Sequence, residues 1–311
     1  MPDALTLARR IRAKLRGADP AQVPRTPWPA GHARRPGSDA RIGVVVVNFN
    51  TARLISQLVF SLCRVVGRDA FAEIVVVDNA STDGSRELLD GLSDAGLIQL
   101  IRNDVQRYHG PGLTQGVSWL AERQATCAED ERLDLVWVID SDIVVLRADA
   151  LAGAVSGLEQ AGAAAVGQRD VSLAPEDLLD HTPLLHVCSL LFDPVPIWQP
   201  ALPPFLESGL PSRDLQAAAE QLEIPMVAFP FVEDGYLIHL GRGTLRAIAD
   251  IDDTSNRYHA WAVDHNDPHF ADSETGPERY AAFGELFDRE VGELTPGSLV
   301  AACRGHLLTV D

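Results

Sequence analysis

Asp140 and Asp142 stand one residue apart inside an otherwise apolar run, Leu135 to Leu146 (LVWVIDSDIVVL). Along an extended strand residues i and i+2 point the same way, so the two carboxylates would be aimed at one locus. An unpaired carboxylate is costly to bury, and a pair at the mouth of a core strand needs a cation, a set of donors or water. Two oxygen ligands at one point suit a hard divalent cation. The same pattern taken alone also describes a strand ending in a solvated turn, so the surrounding elements have to separate the two readings.

Those elements repeat the arrangement. Ile42 to Val47 (IGVVVV) is a β-branched run that ends in Asn48-Phe49-Asn50-Thr51, and Ile74 to Val77 ends in Asp78-Asn79-Ala80-Ser81-Thr82-Asp83-Gly84-Ser85. Leu97 to Ile101 leads into Arg102-Asn103-Asp104. Between the runs lie helical stripes: Leu54, Ile55, Leu58, Val59, Leu62 and Val66 after a capping Thr51, then Leu88, Leu89 and Leu92 after Ser81 or Thr82, then a helix from Gly112 to about Arg123. The order β-α-β-α-β-α-β predicts an α/β fold, a mostly parallel sheet flanked by helices. Ligands of such sheets bind beyond the carboxyl ends of the strands, where Asn48, Asn50, Asp78, Asn79, Asn103, Asp140 and Asp142 all fall. No GxGxxG follows the first strand and no GxxxxGK[ST] occurs, which excludes a dinucleotide fingerprint and a P-loop.

Composition limits the partners. The 311 residues are 46% hydrophobic and 23% charged, enough for one large domain with extensions. Net charge is −18, with nine Arg or Lys against three acids in residues 1–41 and 17 against 41 beyond. So acidic a body argues against tracking the phosphates of a nucleic acid. No apolar stretch has the length of a membrane span and the amino terminus lacks a signal-peptide core, which predicts a cytoplasmic protein. Residues 1–16 form a basic amphipathic pattern that could touch an anionic membrane surface or pack on the acidic body. Residues 17–40, with five prolines, read as an extended linker. Cys63, Cys127, Cys188 and Cys303 form no CxxC pair and read as reduced thiols.

The segments VVVVNFNT, VVVDNASTDGS and VWVIDSDIVV, spread over residues 42–146, resemble the GT-A glycosyltransferases, and among them family 2. The resemblance implies a Rossmann-like GT-A domain over residues 41–250, with a donor half at 41–146 and a smaller acceptor half at 147–250. Residues 251–311 would then be a C-terminal helical extension, able to shape the acceptor side or a homodimer contact. It further implies a nucleoside-diphosphate sugar donor, a hydroxyl acceptor and Mn2+ or Mg2+. On that basis Asn48 and Asn50 would border the nucleoside, Asp78 would bond the base, and Asn79 and Asn103 would belong to the same donor edge. Asp140 would face the ribose or a metal-bound water, and Asp142 would ligate the metal. The family's Asn-rich segment before the fourth helix is replaced here by Tyr108-His109-Gly110-Pro111-Gly112-Leu113-Thr114-Gln115-Gly116, which loosens any donor contact from Arg107 or His109.

An inverting transfer needs a carboxylate to take the acceptor's proton. Glu207 in FLESG is favoured by chain order, with Asp234 of the Glu233-Asp234 pair and Asp214 as alternatives. In YLIHLGRGT, His239 matches the late His that GT-A enzymes place on the metal, with Arg242 a diphosphate candidate. A retaining GT-A enzyme, a sugar-nucleotide nucleotidyltransferase and an inactive nucleotide-sugar-binding relative are the rival readings.

Overall fold

Continuous β-branched runs build the centre of the sheet. β1 (Ile42–Asn48) is buried along its whole length, and β2 (Glu73–Asp78) along all but its first residue. β1 pairs in parallel with β2 on one side and with β4 (Leu135–Ile139) on the other, while β3 (Gln99–Arg102) extends the sheet beyond β2. The computed structural model describes residues 25–31, 34–35, 37–169, 184–206, 211–241 and 275–310. Past β4 the sheet continues through β7 (Leu185–Phe192), β6 (Ala165–Arg169) and β8 (Met226–Ala228), giving seven strands in the order β3-β2-β1-β4-β7-β6-β8. Among the described strands only β7 opposes its neighbours, β4 and β6; the other pairings of this sheet are parallel. Because β7 is reversed it begins where β4 ends, so its first residues arrive at the polar edge.

Alternation along β1 divides the core in two. Val44 and Val46 face a layer that includes α1 (Ala52–Ser61), α2 (Ser85–Asp94) and α4 (Ala150–Gln160). Val45 and Val47 face α3 (His109–Gln124) and α6 (Arg213–Gln221), with the short α5 (Pro194–Ile197) beside them. At Gly116 a Cβ would stand 2.5 Å from Val45 Cγ1, so the missing side chain is what lets α3 lie so close to the sheet. At Gly110 a Cβ would lie 1.9 Å from the carbonyl oxygen of Leu206, which brings the chain before Glu207 hard against the first turn of α3.

A second, two-stranded sheet joins the two halves. β5 (Ile143–Val145) pairs antiparallel with β9 (Leu237–His239), and Ile143 stands opposite His239. This pairing returns the chain from β8 to Asp142.

The predicted helix start at Ser81 or Thr82 falls later, at Ser85. Ser81 accepts instead from Asn48 Nδ2 and from the Asn50 amide, each at 3.0 Å. Thr51 likewise makes no side-chain cap; the Ala52 amide is taken by Asp83 Oδ2 at 2.8 Å. In both places the capping side chain is diverted to the polar edge.

The two ends of the chain, over their described parts, pack on this body. The segment expected as a linker carries Trp28 into the core, gives the Thr26 carbonyl to Trp198 Nε1 at 2.9 Å and sets Arg35 on Asp134 at 2.8 Å. At the other end α7 (Gly276–Val291) and α8 (Pro296–Cys303) lie against the first layer, with Phe283 and Phe287 edge-on to Phe60 at 6.1 and 5.3 Å. Cys63, Cys188 and Cys303 are buried, and all four cysteines are free. No helix among the described residues is long and apolar enough to cross a membrane. Residues 1–16 lie outside the described residues.

Candidate active site

The polar edge is a frame of short side chains. Asn48, fully buried at the end of β1, donates from Nδ2 to Asp78 Oδ1 at 3.0 Å and accepts on Oδ1 from Thr51 Oγ1 at 2.7 Å. Thr51 Oγ1 also lies 3.1 Å from Ser141 Oγ, tying the Asp-Ser-Asp turn to the end of β1. Asn50 adopts a left-handed backbone (φ 50°) and its Oδ1 accepts from the Thr82 amide at 2.7 Å. Asn79 donates to the Tyr108 carbonyl at 2.8 Å and accepts from Asn103 Nδ2 at 3.0 Å and from the Arg107 amide at 3.1 Å. Asn103 also donates to Gln115 at 2.9 Å. The asparagines thus hold one another and the two loops, and the group they present is Asp78. Its Oδ2 is buried and makes no hydrogen bond with the described residues; Arg86 Nε is 4.0 Å away.

Three further side chains converge beside that frame. Asp140, Asp142 and His239 each bring one ligand atom into a group in which all lie within 4.8 Å of one another. Asp142 Oδ1 is 3.5 Å from His239 Nε2, and both residues are buried. Asp140 Oδ1 lies 3.0 Å from His109 Nε2 without the alignment of a hydrogen bond. Burial, the largest influence, would raise the Asp140 carboxyl, but contact with His109 and the nearby His186 together outweigh it and hold the group below the usual carboxylate range. For His239 burial lowers the imidazole, and Cys188 and Asp142 together overcome it, leaving the pKa well above its ordinary value. Two carboxylate oxygens and one imidazole nitrogen so close together fit a divalent cation.

His109 reaches Asp140 because α3 begins there. The preceding residue, Tyr108, has φ 63° and ψ 178°, a region ordinarily left to glycine, and Asn79 grips its carbonyl. The arrival of His186 is a consequence of the reversed strand: its ring is 5.4 Å from that of His239.

The base candidates are spread apart. Glu207 and Arg242 lie outside the described residues. Leu206, just before Glu207, is joined to Pro211 by an amide-to-carbonyl bond of 3.1 Å and abuts Gly110 of α3. Asp214, exposed in the first turn of α6, sits near the start of β7, since Ser212 and Gln216 both bond Leu185. Asp234 is placed elsewhere: its carbonyl meets Arg147 at 3.2 Å, at the end of the β5–β9 ribbon opposite Asp142 and His239. Asp234 lies in the turn before β9, and Leu237 and Ile238 of that strand separate this end of the ribbon from His239. His109 and His186 are the site residues least visible in the sequence. Their only signal is an imidazole just after a strand-end loop and another at the start of an apolar strand.

A mostly parallel sheet with a polar edge at its strand ends, and a cluster of two carboxylates and an imidazole beside that edge, make a candidate enzyme site in an α/β fold. The chain belongs to glycosyl transferase family 2, whose family model matches residues 43–199, and it is a glycosyl-transferring enzyme of GT-A fold. A search of curated proteins by sequence gave no match. Among solved structures it is similar to the mannosyltransferase PcManGT from Pyrobaculum calidifontis, determined with GDP-Man and Mn2+. That likeness has 17% identity, 96% of this chain and 80% of that one covered, and a TM-score of 0.45. It is also similar to S. aureus TarS 1-349 in complex with UDP (15% identity, 71% and 68% covered, TM-score 0.46). A third likeness is to M. tuberculosis glucosyl-3-phosphoglycerate synthase (20% identity, 63% and 76% covered, TM-score 0.43).

Proposed function

We propose that this enzyme transfers a sugar from a nucleoside-diphosphate donor to a hydroxyl acceptor, with a divalent cation held by Asp140, Asp142 and His239. The convergence of those three ligand atoms at the polar edge carries the reading. The empty side of Asp78 supports it: Oδ2 asks for a donor, which an imide or lactam N–H of a nucleobase would supply. In such a site the cation, when bound, offsets charge gathering on the departing diphosphate. The chain's own residues have the other tasks. Asn48 orients Asp78, Ser141 and Thr51 hold the Asp-Ser-Asp turn, and His109 keeps Asp140 ionised so that it can act as a ligand.

For the acceptor's proton we favour Glu207, because Leu206 delivers the chain to the first turn of α3, where His109 meets Asp140. Asp214 is the second choice, near the opening of β7. A base acting from the face opposite the leaving group makes the transfer an inverting one, which NMR of the anomeric centre of the product would test.

The decisive binding experiment titrates UDP and GDP with and without Mn2+. Wild-type protein should bind one of them far more tightly with the metal, and Asp142→Ala should abolish the difference. Unchanged metal dependence in Asp142→Ala would sink the proposed centre.

A further inference from the structure

Among the described strands of the large sheet β7 alone runs against its neighbours, so it opens at the polar edge with His186 as its second residue. The ladder is irregular at this point. The register between β6 and β7 shifts between Gly167 and Gln168, and Gln168 is the residue opposite His186. Such irregularities commonly re-aim a side chain beside a functional site. Here the His186 ring is 5.4 Å from that of His239 at an angle of 46°, and it is close enough to Asp140 for the two to influence each other's charge.

The ring is also set in one tautomer. Nδ1 accepts the backbone amide of Cys188 at 2.9 Å, so in the neutral imidazole the proton is on Nε2. The imidazole is oriented by its own strand and lies beside the Cys188 thiol and the His239 ring. Yet His186 is not one of the three residues whose ligand atoms converge. It stands beside that point, its ring packed against that of His239.

We propose that His186 is a further contact of the donor site, giving a hydrogen bond from Nε2 to the diphosphate of the nucleotide donor. This assignment rests on the reading of the site as a cation-dependent diphosphate site. A fixed N–H donor there meets charge as it develops on the leaving group, the situation in which one such donor has its largest effect.

Two substitutions separate the donor from the ring. His186→Gln keeps an N–H at the reach of Nε2, whereas His186→Phe keeps a ring of similar size without a donor. Calorimetry of UDP and GDP in the presence of Mn2+ should give near wild-type affinity for H186Q and a weakening of about tenfold or more for H186F. Mn2+ binding without nucleotide, read by electron paramagnetic resonance, should be the same in all three proteins. His186→Asn gives a second arm should H186F fail to fold: its amide ends at the level of Nδ1, cannot reach as Nε2 does, and should bind as weakly as H186F. Wild-type affinity in H186F or H186N would overturn the His186 assignment alone. Equal loss of Mn2+ binding in those variants would overturn it too, by making the role structural. A wild-type protein that binds neither nucleotide with Mn2+ would overturn the donor-site reading beneath it.

Discussion

A buried carboxylate oxygen without a donor costs on the order of 1–3 kcal/mol, and among the described residues the polar edge keeps Asp78 Oδ2 in that state, whereas Asp140 Oδ1 has His109 3.0 Å away. Asp78 Oδ2 is not needed to hold the strands, which leaves it open to a ligand. Asp78→Asn removes the carboxylate while retaining the oxygen that Asn48 bonds. We expect it to melt at or above the wild-type temperature and to bind UDP or GDP at least about tenfold more weakly, which paired melting and calorimetry would show. His239 carries the pH dependence. Its folded pKa is raised, so a proton on it stabilises the metal-free protein fully below the unfolded value near 6.5, and that stability is lost as pH rises through the folded value. A cation must displace the same proton. Mn2+ affinity should therefore rise with pH across and above the ordinary histidine range, with proton release visible as a dependence of the calorimetric heat on buffer ionisation enthalpy.

At the level of elements, the important object is the loop that ends in Tyr108 and delivers His109 to Asp140. A tyrosine at φ 63° and ψ 178° stores about 1–3 kcal/mol of backbone strain, held by the Asn79 bond to its carbonyl. Glycine would release that strain and lose about 0.5–1 kcal/mol to unfolded-state entropy. Tyr108→Gly should thus be as stable as wild type or more so in urea denaturation, while binding nucleotide more weakly because His109 is no longer held in register. A variant both less stable and equally active would show that the conformation serves folding rather than the site.

Across the whole molecule, the C-terminal helices close the first core layer and are not an appendage. Arg64, buried within the continuation of α1, donates to the carbonyls of Ala302 at 2.6 Å and His306 at 2.5 Å and meets Glu290 at 3.1 Å. Replacing it with Met keeps most of the apolar stem but leaves those acceptors unmet. By analogy with other broken buried pairs, Arg64→Met should cost about 3–5 kcal/mol. The denaturant midpoint would report it, and the Mn2+ affinity of the folded fraction should be unchanged, because the cluster at Asp142 lies at the other end of α1.

The apolar strands of the sheet and the polar residues that follow them were legible along the chain because burial on both faces demands continuous apolar runs, whereas His239 was singled out through the family resemblance. Local chemistry was less legible. Ser81 and Thr51 carry the residue types of helix caps, and the asparagines of exposed ligand contacts, but the sheet brings them within reach of one another and they bond among themselves. The placement of Asp234 at the far end of the ribbon and of His186 beside His239 depended on which strands pair and in which direction. Strand pairing is set by contacts between residues distant in sequence, which no spacing along the chain records. The sequence by itself therefore determined which residues could do chemistry, while the antiparallel β7 and the β5–β9 pairing decided which of them meet.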